Sequence, residues 1–531
     1  MRFVGQPMGE PDTIPAILAA QAAARPDAVA LVDGDEHVRY SELGERSDRI
    51  AQSLRGHGVR PGDRIAVLDH DSARTFELVF GIAKAAAVTL GLNWRLTGSE
   101  LAFQIDDAEA TFLFVGPELF GQAREVQALC PRLRGVVALR GADPAWPAFT
   151  DWLQQAPAAP GSLPVVGRED VAVQMYTSGT TGKPKGVMLA HRSFVAVVAG
   201  MRAVGDPWIG WSPRDVSLLG IPSFHIGGMW WAMTGFNAGA TNVVVPVFAG
   251  WRVLQSIARH RVTKACMVPA MIQVCLSEPD CARTDFSSLH TIVYGGSPIP
   301  RPNLEAAMRT FGCGFAQIYG LTETGNTAVC LRPADHARTE LLEAAGRPYP
   351  GVHVKIVDGN GKVLPARAIG EICIRSPANM LGYWKRPEAN AATLRDGYVH
   401  TGDAGFLDEE GFVHVCDRLK DMICTAGENV YPAEIESVLC GHPAVAEAAV
   451  IGVPDDRWGE VVKAVVVLRA GVAAGPAMAS EILQFARRQL ADFKVPRSVD
   501  FVAALPRTPS GKIQKHVLRE PFWVGRSRQV N

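Results

Sequence analysis

The sequence lacks the features that mark several large classes of protein. No two of its 10 cysteines form a C-x-x-C pair, so neither a zinc ribbon nor a thioredoxin-type motif is indicated. Its 53 basic and 54 acidic residues give a formal net charge of −1, which argues against a broad basic face for nucleic acid. The opening residues MRFVGQPMGEPD have neither the basic start nor the apolar stretch of a signal peptide. We therefore expect a cytoplasmic protein with reduced thiols and no nucleic-acid partner.

Charged residues are also missing from one long stretch. Between Asp215 and Arg252 there is no Asp, Glu, Lys or Arg, and the stretch is long enough to span a bilayer. It also contains Pro222, Ser223, Asn237 and six glycines, and these polar and helix-breaking groups would need internal partners in lipid. We therefore predict the buried wall of an α/β domain and no stable membrane insertion.

The composition is otherwise that of an ordinary folded protein. Apolar residues make up 47% and charged residues 20% of the 531 residues. At about 150 residues per domain, this length predicts about three folding units. Helical periodicity over 14–24 and 40–56 flanks an apolar strand at 28–32. Such alternation predicts an α/β fold with stacked layers in a large N-terminal domain of several subdomains.

Later changes of pattern divide the chain further. Residues 141–167 are rich in Ala and Pro without a clear period, which predicts a surface connection. Alternating strands at 352–357 and 370–374 predict a small β subdomain. Beyond these strands, helices and strands follow each other as in a separate, small α+β domain. We therefore expect an N-terminal domain of residues 1–418 and a C-terminal domain of residues 419–531.

The most informative stretch reads YTSGTTGKPKG and begins at Tyr176. Its glycines permit close backbone approach, and its N–H groups, hydroxyls and Lys185 supply donors and positive charge for phosphate oxygens. It is not a Walker A loop, because only two residues separate Gly179 from Gly182. The stretch follows a strand at 171–175 and leads into a segment that we expect to be helical.

This loop resembles the motif of the acyl-adenylate-forming superfamily, which holds acyl- and aryl-CoA synthetases, peptide-synthetase adenylation domains and luciferase-like enzymes. Eight further segments match the family in the family's order, and the resemblance extends over nearly the whole chain. They are PSFHIGG, YGGSP, QIYGLTET, GRPYPG, GYVHTGD, DRLKDMI, GENVYPAEIE and PRTPSGKIQK.

The resemblance implies an acid–CoA ligase. Such an enzyme converts a carboxylic acid and ATP into acyl-AMP and pyrophosphate, and then transfers the acyl group to CoA. Two alternatives remain open: an acyl-AMP ligase that loads a carrier-protein phosphopantetheine, and a luciferase-like monooxygenase that uses the adenylate. The implied co-substrates are ATP and CoA, the implied metal is Mg²⁺, and we expect a monomer or a homodimer.

By resemblance, ATP lies along two segments of the N-terminal domain. The glycine–threonine loop contacts the phosphates, and the strand QIYG lines the groove for adenine and the acyl group. The nucleotide-binding residues implied in this way are Thr177, Ser178, Gly179, Thr180, Thr181, Gly182, Lys185, Gly296, Ser297, Gln317, Ile318, Tyr319, Gly320, Thr322, Asp403 and Arg418.

Four of the matched residues have more specific implied roles. Glu323 helps to hold Mg²⁺, for which a carboxylate is a suitable hard ligand, and Thr322 contacts the α-phosphate. Asp403 accepts hydrogen bonds from the two ribose hydroxyls, and Arg418 makes a second ribose or phosphate contact.

The C-terminal domain carries further implied catalytic residues. Lys512, in TPSGK, reaches into the active site and bridges carboxylate and phosphate oxygens. Lys420 marks the hinge about which this mobile domain turns between an adenylation pose and a thioester pose. Gly427 and Glu428 lie along the CoA channel. Lys515, three residues after Lys512, is expected to be a solvated tail lysine.

The acyl pocket is implied to lie between PSFHIGG and the strand QIYG. The histidine either gates the pocket or faces the thiol, or it is an ordinary core histidine, and the tryptophans either line the pocket or belong to the core. This lining is apolar and has no obvious charged group, so we expect a hydrophobic acid of fatty or aryl type. The residues assigned to the pocket are His225, Met229, Trp230, Trp231 and Gly320.

Overall fold

The computed structural model describes residues 10–158, 161–177, 184–206, 208–425, 428–507 and 513–525. Its helices are α1 (Ile14–Ala24), α2 (Tyr40–Gly56), α3 (Ala73–Lys84), α4 (Gly98–Asp107), α5 (Phe120–Leu129), α6 (Phe149–Gln154), α7 (Ala196–Ala203), α8 (Ile226–Ala238), α9 (Gly250–His260), α10 (Pro269–Ser277), α11 (Arg301–Phe311), α12 (Pro387–Thr393), α13 (Pro432–Cys440), α14 (Pro476–Arg487) and α15 (Lys515–Trp523).

The strands of the first half are β1 (Val29–Asp33), β2 (Glu36–Arg39), β3 (Arg64–Leu68), β4 (Val88–Gly91), β5 (Phe112–Val115), β6 (Gly135–Ala138), β7 (Val171–Thr177), β8 (Lys185–Ala190), β9 (Val216–Leu219), β10 (Thr241–Val244) and β11 (Lys264–Met267). Those of the second half are β12 (Thr291–Gly295), β13 (Gly314–Tyr319), β14 (Val329–Leu331), β15 (Arg347–Pro348), β16 (His353–Val357), β17 (Gly370–Arg375), β18 (Gly382–Tyr383), β19 (Leu394–Arg395), β20 (Tyr398–Leu407), β21 (Val413–Arg418), β22 (Ile423–Thr425), β23 (Glu428–Val430), β24 (Val445–Asp455), β25 (Gly459–Leu468) and β26 (Ser498–Phe501).

Two large, mostly parallel sheets form the body of the N-terminal part. One has nine strands in the order β15-β14-β13-β12-β11-β9-β10-β1-β2, and the other has seven in the order β18-β8-β7-β4-β3-β5-β6. Helices cover these sheets because parallel strands need crossover connections and are apolar on both faces. The predicted α/β class with stacked layers is therefore confirmed.

The segment after the glycine–threonine loop is a strand and not the predicted helix. It forms β8, which pairs antiparallel with β7 so that Lys185 stands opposite Thr177. The sequence Val187–Ala190 is a short apolar run, and periodicity alone does not separate a buried strand from a helix at that length. The loop therefore connects the two strands of a hairpin, and its residues 178–183 lie outside the described part of the chain.

The charge-free stretch forms β9, α8 and β10, as a buried wall should. Twelve of the 13 residues of α8 are buried, so this helix is apolar on every side. It ends at Gly239, whose φ of 73° lies in the left-handed region that glycine adopts at helix ends. Among the described helices, none is both long enough and apolar enough to cross a membrane.

Two smaller antiparallel sheets complete the structure. The predicted strands at 352–357 and 370–374 are β16 and β17, and they join β19, β20 and β21 in a five-stranded sheet. The later sheet, β23-β22-β25-β24 with β26 beside β25, forms the smaller C-terminal domain with α13, α14 and α15. The Ala/Pro-rich connection at 141–167 contains one short helix, α6, which its composition did not indicate. The proposed boundary after residue 418 stays a prediction.

Candidate active site

The buried carboxylate of Asp403 lies where strands β13, β20 and β21 come together. Asp403 on β20 is 4% exposed and lies opposite Arg418 on β21 in the antiparallel pair. One carboxylate oxygen, Oδ1, is 2.8 Å from Nε of Arg418, and the other accepts a hydrogen bond of 2.7 Å from the hydroxyl of Tyr319 at the end of β13. Burial and the charge of Asp403 raise the pKa of Tyr319 well above its usual value, so its hydroxyl stays a donor. A carboxylate oxygen can accept more than one hydrogen bond, so this arrangement is compatible with a bound ribose hydroxyl.

A second carboxylate lies on the turn that follows β13. Glu323 is the middle residue of the single 3₁₀ turn Thr322–Thr324, which Gly325 ends at a φ of 64°. The hydroxyl of Tyr383 on β18 donates a 2.8 Å hydrogen bond to Oε1 of Glu323. The main-chain carbonyl of Glu323 accepts from the N–H of Met380 at 2.8 Å, which fixes the turn against the segment before β18.

Positive charge borders both carboxylates. The ammonium of Lys185 lies 4.5 Å from the ring centre of Tyr383, the same ring whose hydroxyl holds Glu323. Burial opposes the charge of Arg418, but the nearby charges, chiefly Asp403 with contributions from Tyr319 and Glu323, raise its pKa overall. Arg418 thus interacts with both acidic groups. The site combines two fixed carboxylates with two cations, which suits a polyphosphate and its metal ion.

The predicted groove residues follow β13 towards this site. Gln317 accepts a 3.1 Å hydrogen bond from the hydroxyl of Tyr294 on β12, and Ile318 is buried in the core. A Cβ at Gly320 would lie 2.0 Å from the carbonyl oxygen of Asn326, so glycine is needed for the chain to fold back after β13. Gly320 therefore shapes the turn that carries Glu323.

Gly296 and Ser297 lie on the exposed turn after β12. Gly296 has a φ of 84°, which glycine adopts without strain. Both residues are exposed, in contrast to the strand before them. Their predicted contact with the nucleotide stays a prediction.

His225 is the residue immediately before α8, and its ring lies 4.4 Å from that of Phe224. The preceding Ser223 is held by buried Asp71, which accepts from the N–H of Ser223 at 2.7 Å and from its hydroxyl at 2.6 Å. At Gly227, a Cβ would come within 3.9 Å of the Asn326 side chain. The first turn of α8 therefore faces the turn that carries Glu323.

The other proposed pocket residues lie in the core. Met229, Trp230 and Trp231 are 1–2% exposed, and the indole N–H of Trp231 donates to the carbonyl of Leu218 at 3.0 Å. The ring of Trp230 lies 5.9 Å from that of Trp208. These contacts make the residues part of the packed wall, and their role in an acyl pocket stays a prediction.

The proposed hinge lies directly after strand β21, which carries Arg418. Lys420 lies in the 3₁₀ turn Leu419–Asp421, two residues after Arg418. Glu428 begins β23 and is exposed. The predicted residues Gly427 and Lys512 lie outside the described part of the chain, as do Ser178, Gly179, Thr180, Thr181 and Gly182 of the glycine–threonine loop.

Lys515 is not the solvated lysine that the sequence led us to expect. Its ammonium lies 2.9 Å from Glu436 and 3.5 Å from Asp417, and its side chain is 14% exposed. The carboxylates of Glu436 and Asp417 stabilise the buried ammonium, and the ammonium in turn supplies the charged partner that these carboxylates need.

Tyr383 and Asp71 are parts of the site that the sequence did not indicate. Tyr383 follows Glu323 by 60 residues, and it reaches Glu323 because β18 pairs with β8. Asp71 precedes Ser223 by 152 residues. The local sequence around Tyr383 carries no chemical motif, so only the strand pairing reveals its position.

Comparisons with known proteins show the family of the chain. The AMP-binding enzyme family matches residues 18–384, and the AMP-binding enzyme C-terminal domain matches residues 434–512. The chain is 46% identical over 507 residues to fatty acid–[acyl-carrier-protein] ligase ScoC of Streptomyces coeruleorubidus, covering 95% of this chain and 96% of that protein. It is 39% identical over 504 residues to feruloyl-CoA synthase of an Amycolatopsis species, covering 94% and 97%. The solved structure of the anthranilate CoA ligase AuaEII with anthranoyl-AMP matches with a TM-score of 0.88 at 29% identity, covering 98% of this chain and 99% of that one.

Proposed function

The chain belongs to the AMP-binding enzyme family, and from that premise we propose that it joins a hydrophobic carboxylic acid to CoA through an acyl-adenylate. It is an adenylate-forming ligase whose substrates include ATP and a small-molecule acid. The proposal concerns the type of acid, the thiol that accepts it, and the roles of individual residues.

The observation that carries the proposal is the meeting of Asp403, Arg418 and Glu323. Asp403 and Arg418 stand opposite each other at 2.8 Å, and the charge of Glu323 acts on the same guanidinium. A ribose bound at Asp403 would place the phosphates of the nucleotide towards Glu323 and Lys185. Such a site fixes the α-phosphorus where a carboxylate can attack it, and positioning of this kind provides much of the rate in phosphoryl chemistry.

The chemistry proceeds in two balanced steps. A carboxylate oxygen forms a bond to the α-phosphorus of ATP, and the bond to pyrophosphate breaks. The thiolate of the acceptor then attacks the acyl carbon, forming the thioester and releasing AMP. In this scheme Thr322 and Lys512 contact the oxygens that gain charge in the first step, because cations and donors placed there stabilise the transition state.

The donor groups present fit a magnesium ion. Glu323 offers a carboxylate whose Oε1 is already held by the hydroxyl of Tyr383, and carboxylate and phosphate oxygens are the ligands that Mg²⁺ prefers. When bound, the ion would neutralise charge on the phosphates. Tyr383 would then orient the carboxylate that holds it.

Two observations bear on the accepting thiol. The segment GENVYPAEIE resembles CoA ligases, and the chain is 39% identical to a feruloyl-CoA synthase, which supports CoA. The 46% identity to a fatty acid–[acyl-carrier-protein] ligase supports a second candidate, transfer to the phosphopantetheine of a carrier protein. Both acceptors present the same pantetheine thiol.

The acid is proposed to be apolar. The helix α8 beside the site is buried and rich in aromatic and methionine side chains, and it carries no charged residue. An apolar wall selects acids by shape and hydrophobicity. Fatty and aryl acids both meet that requirement.

The test is a panel of fatty and aromatic acids assayed for pyrophosphate and AMP release. The second step is measured as thioester mass with CoA and, separately, with a phosphopantetheinylated carrier protein. We expect ATP conversion to AMP and pyrophosphate with at least one apolar acid, followed by acyl-CoA formation. Conversion of ATP to ADP would overturn the ligase proposal, and thioester on the carrier alone would replace CoA as the acceptor. Oxygen consumption with the adenylate would indicate the monooxygenase alternative.

A further inference from the structure

Three potential metal ligands meet in the small β-sheet, and none of them is a residue proposed to bind the nucleotide. Glu371 and Cys373 lie two residues apart on β17, so both point to the same face of the sheet. Cys373 stands opposite His400 of the neighbouring strand β20. Their ligand atoms all lie within 4.8 Å of one another, and the described part of the chain contains no other group of three such residues.

The distances fit a tetrahedral ion. The Sγ of Cys373 lies 3.4 Å from Nδ1 of His400, and Nδ1 lies 2.7 Å from Oε2 of Glu371. Zinc bonds of about 2.3 Å to sulfur and about 2.0 Å to nitrogen, at a tetrahedral angle, separate the two ligand atoms by about 3.5 Å. The sulfur and the nitrogen are therefore already at the required spacing. Zinc bonds of about 2.0 Å to oxygen and to nitrogen separate the two ligand atoms by about 3.3 Å. Oε2 of Glu371 would therefore move about 0.6 Å away from Nδ1 of His400 when zinc binds.

We propose that Glu371, Cys373 and His400 form a zinc site, with water as the fourth ligand. The combination of thiolate, imidazole and carboxylate suits a borderline-soft ion such as Zn²⁺, whereas Mg²⁺ and Ca²⁺ prefer oxygen ligands alone. Three protein ligands and one open position are a common zinc arrangement. This site uses none of the residues proposed to bind ATP.

The surroundings of the cluster prepare it for an ion. Oε1 of Glu371 accepts a 3.0 Å hydrogen bond from the N–H of Gly402, which orients the carboxylate and leaves Oε2 towards the histidine. Such outer contacts hold ligands in position. The side chains of Glu371 and His400 are 23% and 9% exposed, while Cys373 is buried, so an ion would enter beside the carboxylate.

Two features oppose binding. Burial raises the pKa of the Cys373 thiol and so disfavours the thiolate that zinc needs. The positive charges of Lys355 and Arg395 nearby repel a cation. Lys355 lies 4.2 Å from the ring centre of Tyr398, which draws its ammonium towards that ring. The thiol must also lose its proton when zinc binds, and one proton is released per ion.

The experiment titrates the full-length protein with zinc alone, against a fluorescent chelator. Cobalt absorption from thiolate charge transfer identifies the sulfur ligand. We expect Cys373→Ser and His400→Gln to lose one zinc equivalent and the cobalt–thiolate band. Glu371→Gln should bind zinc at least about 10–100-fold more weakly, because removing a direct ligand should cost no less than removing an outer group that supports one. Its amide can keep the hydrogen bonds to Gly402 and His400, so this variant tests the site where the others fail to fold.

Matched controls lie on β21 of the same sheet. Cys416→Ser and His414→Gln remove a thiol and an imidazole outside the cluster, and both should retain the zinc equivalent and the cobalt band. The proposal is overturned if Cys373→Ser and the wild-type protein bind zinc with equal stoichiometry and affinity, or if Cys416→Ser loses the band instead. Because no substrate is present, the result is independent of the ligase assay.

Discussion

Tyr383 contacts both charged groups that border the proposed phosphate site. Its hydroxyl donates to Glu323 at 2.8 Å, and its ring faces Lys185 at 4.5 Å. Burial and the charge of Glu323 raise the pKa of Tyr383, so the hydroxyl remains protonated and keeps donating at neutral pH. A single neutral side chain therefore positions an acid and a base on two different segments.

We predict that Tyr383→Phe lowers kcat/KM for ATP about tenfold, because a hydrogen bond to a charged group contributes about 1.5 kcal/mol. The phenylalanine ring keeps its contact with Lys185, so the loss isolates the effect on Glu323. The magnesium concentration needed for half-maximal rate should rise as well. Tyr398→Phe, on β20, is the control and should leave both quantities unchanged; equal losses in the two variants would contradict the prediction.

A pH dependence is expected from Asp71. Burial raises its pKa to about 7, although the hydrogen bonds from Ser223 act to lower it. A carboxyl group in the unfolded chain has a pKa of about 3.9, so the folded protein binds the proton more tightly. The stability that this group contributes is therefore complete below pH about 4 and is lost as the pH rises to about 7.

We predict that Asp71→Asn gains stability relative to the wild-type protein as the pH rises through this window, by up to about 1.4 kcal/mol per pH unit. Urea unfolding at several pH values measures the difference. Ser223→Ala removes a donor that stabilises the charged carboxylate, so it should extend the loss of stability to a higher pH. A difference in stability between Asp71→Asn and the wild-type protein that does not change with pH would contradict the prediction.

At the scale of elements, one buried cation joins two helices of the C-terminal domain to the strand that precedes the proposed hinge. Lys515 on α15 contacts Glu436 of α13 and Asp417 of β21. Glu436 also accepts the N–H of Val450 at 2.7 Å, and Asp417 accepts the N–H of Ala433 at 2.9 Å. Helix α15 is thus attached to the strand that leads into the proposed hinge.

We predict that Lys515→Met destabilises the protein by about 3 kcal/mol, because it leaves a buried carboxylate without its charged partner. The double variant Lys515→Met/Glu436→Gln should recover much of this loss. Lys494→Met breaks the exposed pair with Glu434 and should cost less than about 1 kcal/mol. Urea unfolding compares the three variants, and equal losses for Lys494 and Lys515 would show that burial of the pair is unimportant.

The elements also show where sequence reasoning succeeds. Helix α2 was predicted with nearly its full extent, since its apolar residues recur at the helical period between end signals. The strand β8 was mistaken for a helix because a short apolar run has no decisive period. Residues within continuous motifs, such as Tyr319 and Glu323, could be proposed as site residues from the sequence. Tyr383 could not, because its place depends on pairing between distant strands.

At the scale of the whole molecule, the α/β fold and the family were predicted correctly, since nine motifs in order are far more specific than any one of them. The burial of the charge-free stretch was also predicted, because its polar and helix-breaking residues are incompatible with lipid. The relative pose of the two domains does not follow from local patterns, because a hinge permits more than one.

The two-domain mechanism predicts a split effect of Lys512→Ala. Adenylate formation should fall about 10²–10³-fold, the usual loss for a group that stabilises transition-state charge. Thioester formation from supplied acyl-AMP should remain near the wild-type rate, because the domain would turn away from its adenylation pose for that step. Separate assays of the two half-reactions test this, with Lys362→Ala on an exposed turn as the control. Equal loss in both half-reactions would rule out the two poses.

Arg418 precedes Lys420 by two residues, and its guanidinium pairs with Asp403. The proposed rotation of the smaller domain about Lys420 would therefore start at the edge of the proposed nucleotide site. A nucleotide that binds Arg418 would reduce the flexibility of the hinge at Lys420, and its release would restore that flexibility. Release of AMP from the site would then limit the rate of turnover, because it would be coupled to rotation of the smaller domain.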